Sequence, residues 1–185
     1  FELGASYTSS GVFAAGDALQ AKVNLFKGKL WDITSYVDSN FNPIREVNSE
    51  GIEIEAKYSM DNGFYADFNA AVGEYAAVSA GGASGVWRNT PADSARLTLG
   101  KRIGEAWDLS WELVGSKSFT DYNGDLINGY GISNLRATYR VQTGELSGAE
   151  VRLGVENAFD TVYTPALATR TAPGGNIKLT LAKTF

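Results

Sequence analysis

The stretch IEIEAKYSMDNGFYADFNAAV, residues 52–72, contains two runs of alternating apolar and polar residues on either side of Asp61-Asn62-Gly63. Apolar residues at every second position indicate a strand whose two faces meet different surroundings. Asp, Asn and Gly in succession are typical of a tight turn. The stretch therefore predicts an antiparallel hairpin with one apolar face and one charged face.

The same alternation recurs along the chain and predicts an all-β fold of about nine strands. Each segment alternates over roughly eight to eleven residues, whereas strands in soluble proteins usually have about five or six. A tilted strand needs about nine to eleven residues to cross a membrane. The alternating segments cover residues 1–8, 19–25, 52–58, 64–72, 95–103, 107–113, 134–141, 150–156 and 176–185.

The connections between these segments alternate in length. Long polar loops are predicted at residues 32–48, 74–93, 118–130 and 159–174, and short turns at residues 61–63, 104–106 and 143–145. The connection at residues 9–17 is longer than the other turns. Short periplasmic turns and long extracellular loops are typical of an outer-membrane β-barrel. The pattern predicts such a barrel, with the C-terminus on the periplasmic side.

Aromatic residues lie in the apolar rows next to the predicted short turns. In a membrane barrel this position corresponds to the headgroup level, where aromatic side chains form a girdle. Lys101 and Lys183 interrupt the apolar rows near the same edge, where a long side chain can reach water. The predicted members of the periplasmic girdle are Tyr7, Tyr58, Phe64, Trp107, Tyr139 and Phe185.

Composition excludes several function classes. The 185 residues carry a formal net charge of −5 and include neither His nor Cys. The acidic balance gives no footprint for nucleic acid. Without His and Cys, the commonest metal ligands and catalytic bases are missing, so we expect neither an enzyme nor a metal site. A soluble β-sandwich would also have alternating strands, but strand length, loop asymmetry and girdle favour the membrane barrel.

Several segments resemble one known family. Residues 48–58 and 90–100 are similar to late barrel segments of TonB-dependent outer-membrane receptors, and residues 153–163 with 173–181 are similar to their closing hairpin. The family usually has Leu at the position of Ala158 and Arg at that of Gly175. The similarity extends over the whole chain, and the region around Pro91 most resembles the haem and haemoglobin branch.

This resemblance implies a large transporter of which the chain is one part. Family members have a 22-stranded barrel filled by an N-terminal plug domain. Residues 1–185 would then be the C-terminal portion of the barrel, without the plug, the TonB-contacting segment and the earlier strands. The implied function is TonB-dependent uptake of an iron source, either haem, a haemoprotein or a ferric siderophore. Haem or a ferric chelate would be cargo, and no cofactor is expected to be bound by this portion.

The resemblance also implies partners and site residues. The partners would be outer-membrane lipid, the plug domain, the TonB energy-coupling complex and a haemoprotein or siderophore, and terminal Phe185 would act as an assembly signal. Charged residues of the polar rows are predicted to form ion pairs and to face the plug: Glu53, Glu55, Asp67, Glu112, Arg136, Arg140, Glu150, Arg152 and Glu156. Candidate substrate contacts in the extracellular loops are Tyr75, Trp87, Arg88, Tyr122, Tyr163 and Arg170.

Some of these residues have alternative interpretations. Tyr can ligate haem iron, which makes Tyr122 and Tyr163 candidates. Asn157 and Asp160 flank the end of a strand, where short polar side chains cap backbone groups, and this turn role is favoured over ligand contact. A small autonomous barrel with a structural or adhesive role is the alternative function. It would require closure within these residues, for example if residues 1–9 were not a strand.

Overall fold

A computed structural model describes residues 1–38, 40–121 and 123–183. Their regular structure is β-strand throughout, and they include no helix long and apolar enough to cross a membrane. The strands are β1 (Glu2–Ser10), β2 (Asp17–Val37), β3 (Pro43–Met60), β4 (Phe64–Ser79), β5 (Ser84–Val86), β6 (Ser94–Ile103), β7 (Trp107–Ser116), β8 (Phe119–Thr120), β9 (Leu126–Ile127), β10 (Tyr130–Arg140), β11 (Glu150–Glu156) and β12 (Asn176–Ala182).

Nine strands form one antiparallel meander in the order β1-β2-β3-β4-β6-β7-β10-β11-β12. They correspond to the nine predicted segments, so the all-β antiparallel fold is confirmed. The short strand β5 pairs with β4, and β8 and β9 form a separate hairpin. In the described part of the chain, β1 and β12 each pair on one side only, so the sheet remains open. Residues 2–10 form a strand. The small autonomous barrel considered above required that this segment not be a strand, so the structure does not meet that requirement.

Register keeps the two faces of the sheet distinct across all nine strands. Leu25 lies opposite Ile52, which lies opposite Val72, while Lys22 lies opposite Glu55. Because side chains alternate with period two, a slip of one residue would exchange the faces. We call the two sides the apolar face and the charged face.

The strands are staggered as in a barrel wall. One hydrogen-bonded row of the apolar face starts at Leu19, two residues from the first residue of β2, and passes through Tyr58, Leu99 and Leu135 to Ile177. Ile177 is the second residue of β12, at the opposite end of the sheet. A drift of this kind is the shear that accompanies strand tilt in barrels.

The apolar face has no protein layer over it in the described chain. Leu3 is 63% exposed and Leu179 67% exposed, although both belong to apolar rows. A β-sandwich would bury such residues against a second sheet, so the sandwich interpretation is wrong. The indole N–H of Trp111 on this face donates to the hydroxyl of Ser133 at 2.6 Å, so this polar group is satisfied without water.

The connections define two ends of the sheet. The turn end contains residues 11–16, 61–63, 104–106 and 141–149, and the loop end contains residues 38–42, 80–93, 117–129 and 157–175. The predicted turn at 143–145 is therefore longer, because β10 stops at Arg140. Gly63 has a φ of 88°, which a tight hairpin turn requires and Gly adopts at little cost.

The predicted loop at 32–48 is mostly strand, and the one at 74–93 is strand over residues 74–79 and 84–86, which corrects the prediction. β2 continues to Val37, β3 starts at Pro43 and β4 continues to Ser79. We call residues 27–50 and 74–79, which continue beyond Ser94, the first residue of β6, the protrusion. On its outer side the apolar row is continued by lysines, and Lys29 pairs with Glu46 at 2.8 Å. Because charged residues replace the apolar ones in this row, the alternation that predicts a strand is interrupted here and the prediction missed these segments.

The buried apolar residues of the described chain lie within the protrusion. They are Ile44, Val47 and Ala77, with exposures of 5%, 3% and 8%. Ile33, Tyr36 and Trp87 pack against them. Irregular register near Ile33 and Ile44, with a positive φ of 55° at Asp32, is typical of β-bulges. The protrusion therefore has its own small core.

Candidate functional site: the charged face and the loop end

The charged face of strands β6 to β11 contains two groups in which one glutamate binds two arginines. Glu112 lies 3.6 Å from the Arg96 side chain and 3.2 Å from that of Arg136. Glu150 pairs with Arg140 at 2.6 Å and also with Arg152. Because each group has two cations and one anion, its net charge is positive. The arginine side chains remain about half exposed and can donate further hydrogen bonds.

Glu112 is the most enclosed member of these groups. Its side chain is 6% exposed, and the amide of Asn134, its cross-strand neighbour, donates to it at 2.8 Å. Burial of a carboxylate is costly unless it is paired and hydrogen-bonded. Glu112 on β7 has both kinds of partner, because Arg96 lies on the neighbouring strand β6 and Arg136 and Asn134 lie on the neighbouring strand β10.

Asn134 links this group to the start of the 157–175 connection. Its side-chain oxygen accepts the backbone N–H of Asn157 at 2.8 Å. Asn157 exchanges two hydrogen bonds with the backbone of Thr161, at 2.8 and 2.9 Å. Asp160 accepts the backbone N–H of Gly175 at 2.7 Å. Asn157 and Asp160 have φ angles of 49° and 53°, so the predicted turn role of both residues is confirmed.

The other predicted charged residues differ in their pairing. Glu156 pairs with Lys178 at 2.7 Å. Glu53, Glu55 and Asp67 lie on the charged face of β3 and β4 but take part in none of the ion pairs of the described residues. The predicted ion-pair pattern thus applies to the strands from β6 onward. Sequence alone did not reveal this division, because the residue types alternate alike in all strands.

Five predicted girdle residues, Tyr7, Tyr58, Phe64, Trp107 and Tyr139, lie on the apolar face towards the turn end. Phe185 lies outside the described residues. The rings of Trp107 and Tyr139 are 4.7 Å apart. The hydroxyl of Tyr58 donates to Asp17 at 3.0 Å, and Asp17 also accepts three backbone N–H groups of the first turn. Sequence reasoning missed Asp17, whose only signal was its place before an alternating run.

At the loop end, Trp87 and Arg88 are brought together with Tyr36, which sequence reasoning missed. The rings of Trp87 and Tyr36 are 5.1 Å apart, and the Arg88 guanidinium lies 5.1 Å from the Tyr36 ring centre. These three residues line a cavity of about 480 Å³, together with Asp38 and Asn123. Aromatic rings with a cation are a common composition of ligand sites. Trp87 also packs on the core of the protrusion.

Asp38 holds the tip of the protrusion together. Its carboxylate accepts the backbone N–H groups of Asn40 and Asn42 at 2.8 and 2.9 Å. The hydrogen bond from the Asn42 backbone is the largest of the interactions that lower the pKa of Asp38 to about 2. Hydrogen bonds to the ionised form favour it, and the carboxylate is therefore a fixed part of the turn.

Among the remaining loop candidates, the side chains of Tyr75 and Tyr163 contact other residues, although the backbone oxygen of Tyr75 accepts the Trp87 N–H at 2.9 Å. Tyr75 belongs to β4 rather than to a loop, and its ring lies 6.3 Å from that of Phe26. The rings of Tyr163 and Tyr130 are 4.3 Å apart, and Arg170 is exposed in the 157–175 connection. Tyr122 lies outside the described residues. In the part of the chain that the structure describes, no group of three acidic, His or Cys side chains is placed to hold a metal.

Comparison with known proteins identifies relatives of the fold. The sequence model for the family described as "TonB dependent receptor-like, beta-barrel" matches residues 1–158. No curated protein matches the sequence. The copper transporter OprC is similar in structure with a TM-score of 0.66 and 17% identity, over 95% of this chain and 30% of that one.

Two further solved structures agree. The FrpB iron transporter of Neisseria meningitidis (F3-3 variant) has a TM-score of 0.70 at 15% identity, over 96% of this chain and 29% of its own. The ferric citrate transporter FecA in unliganded form has a TM-score of 0.67 at 17% identity, over 97% of this chain and 29% of its own. The chain thus spans about 30% of the length of these proteins. The family and these structures are receptors and transporters rather than enzymes, in agreement with the sequence prediction.

Proposed function

This chain belongs to the family of TonB-dependent receptor-like β-barrels, and we propose that it forms part of the wall of an outer-membrane transporter for an iron source. The observation that carries the proposal is the open nine-stranded meander with one apolar and one charged face. Hydrocarbon would cover the apolar face, and the charged face would line the lumen. The C-terminus would lie on the periplasmic side, with the turn end.

The rest of the transporter would come from outside these 185 residues. The match to about 30% of longer transporters supports a larger wall, in which these nine strands would form the C-terminal part of a 22-stranded barrel. A plug domain would fill that barrel, and the TonB complex would act on the segment preceding the plug. The half-exposed arginines beside Glu112 and Glu150 would donate hydrogen bonds to plug groups.

Haem, a haemoprotein or a ferric siderophore is the proposed cargo. Solved proteins of the same fold transport copper, iron and ferric citrate, as their names state, which supports a metal-containing cargo. The cavity lined by Tyr36, Trp87 and Arg88 would contribute to its capture. All three side chains lie at the loop end, which would face the cell exterior.

Growth of a deletion strain under iron starvation tests this function. We expect the strain to lose growth on at least one of haem, haemoglobin and ferric siderophore as the sole iron source, and to recover it with the intact gene. Separate assays of the three sources decide between the haem and siderophore branches. Wild-type growth on all three would contradict iron uptake. The upstream reading frame gives a second check: a plug domain supports the transporter, while a signal peptide directly before Phe1 contradicts it.

A further inference from the structure

The apolar face contains a groove on strands β6 to β11. It has a volume of about 560 Å³ and is lined mainly by apolar side chains, including Leu99, Leu109, Trp111 and Leu153. Within the groove a small residue, Ala137, lies between Leu109 and Leu153 in one cross-strand row. A methyl group between two larger side chains leaves a depression in an otherwise continuous apolar surface.

A cation lines the groove on its β6 side. Lys101 belongs to the same row as Ala137, two strands away, which corresponds to about 10 Å. Its ammonium group donates to the backbone oxygen of Asn62 at 2.6 Å, in the 61–63 turn. An ammonium group has three N–H donors, so two remain available to a second acceptor at this edge of the sheet.

Two aromatic rings lie one step closer to the turn end. Trp107 and Tyr139 are cross-strand neighbours with ring centres 4.7 Å apart. They lie two residues from Leu109 and Ala137, respectively, on the same face. Rings of this kind prefer the boundary between hydrocarbon and headgroups. The groove therefore combines an apolar body, a cation at its β6 edge and an aromatic rim towards the turn end, which are the three environments that a membrane lipid contacts.

We propose that this groove holds one acyl chain of an anionic glycerophospholipid whose phosphate accepts hydrogen bonds from Lys101. The site rests on the proposed location in the outer membrane, where the turn end would lie in the periplasmic leaflet. An anionic lipid is favoured over a zwitterionic one because no ammonium in its headgroup competes with Lys101 for the phosphate. The bound lipid fills the depression over Ala137 and fixes the level of the wall in the bilayer.

Native mass spectrometry of the intact receptor, purified from outer membranes, tests the site. The probes are phosphatidylglycerol and phosphatidylethanolamine with identical acyl chains, added to delipidated receptor. We expect the wild type to retain phosphatidylglycerol preferentially by about two- to fivefold, the range of an exposed charge pair. Lys101→Gln removes this preference, whereas Ala137→Leu fills the groove and lowers retention of both lipids.

Two matched controls separate the site from general effects. Lys57→Gln removes a lysine from the charged face, and Ala21→Leu enlarges an alanine of the apolar face outside the groove. Both should retain lipid as the wild type does. Equal retention of the two lipids by the wild type, or unchanged retention in Lys101→Gln and Ala137→Leu, overturns the proposal. Growth on iron sources is measured separately, so failure of lipid retention with normal growth leaves the transport function intact.

Discussion

Replacement of Phe41 by glycine should stabilise the tip of the protrusion. Phe41 has a φ of 61° and is 84% exposed. The hairpin tip at residues 121–125 has the same hydrogen bonds: Asp121 accepts the N–H groups of Asn123 and Asp125 at 2.8 and 2.9 Å. There, Gly124 occupies the position equivalent to Phe41, with a φ of 88°. The two tips therefore share one turn with different residues at its left-handed position.

The magnitude follows from two opposing terms. A left-handed conformation costs a non-glycine residue about 1–2 kcal/mol. Glycine loses more backbone entropy on folding, which costs roughly 0.5–1 kcal/mol. Since Phe41 is largely exposed, its removal sacrifices little packing. The net expectation for Phe41→Gly is a gain of roughly 0.5–1 kcal/mol in the local stability of the hairpin.

Hydrogen exchange of the purified receptor measures this local stability. We expect amides of residues 35–45 to be protected about two- to fivefold more strongly in Phe41→Gly, as the free-energy gain implies. The reciprocal control, Gly124→Phe, should reduce protection in residues 119–127. Weaker protection in Phe41→Gly would refute the reasoning, because it would mean that the phenyl ring stabilises the tip by contacts.

Three further changes test other parts of the structure. Because the folded-state pKa of Asp38 is lowered to about 2 from 3.8, its stabilisation of the tip is complete above about pH 5 and should be lost progressively as the pH falls through 3.8 towards 2. Amide protection factors of the tip at several pH values measure the loss. Glu112→Ala should lower the unfolding free energy by about 1–3 kcal/mol, because it leaves the buried Asn134 amide and two arginines without their carboxylate partner. The control Glu53→Ala should change the unfolding free energy by less than about 0.5 kcal/mol. Thermal unfolding monitored by circular dichroism compares the two variants. Gly100→Ala would place a methyl carbon 2.1 Å from the Tyr65 ring and should lower the thermal midpoint of the purified receptor, whereas Gly115→Ala, with open space at its Cβ, should not.

The regular part of the sheet was predictable because its residues alternate between an apolar and a charged face. Residues 52–72 must present apolar groups to one side, and their alternation fixed both the strands and the turn at Gly63. In the protrusion, the apolar residues no longer all lie on the apolar face. Val47 and Ala77 point to the opposite side from Ile52 and Val72, and they pack on residues that follow a β-bulge. Alternation along a single strand contains no information about such a local core.

The candidate site was less predictable for the same reason. Trp87 and Arg88 were identified from composition alone, but their partner Tyr36 comes from a segment predicted to be loop. Its position depends on the irregular register after Asp32. On the charged face, the Glu112 group forms across three strands and the Glu150 group across two, and only the actual register decides which side chains of neighbouring strands meet.

The open edges of the sheet set a condition on how the wall is completed. In the described residues, β1 and β12 each have one edge whose backbone N–H and C=O groups are not paired with a neighbouring strand. Each such group would cost several kcal/mol in hydrocarbon. A bilayer-inserted form must therefore supply a partner strand to β1 and another to β12. The interior seven strands satisfy each other, but their insertion is thermodynamically tied to the joining of both edges.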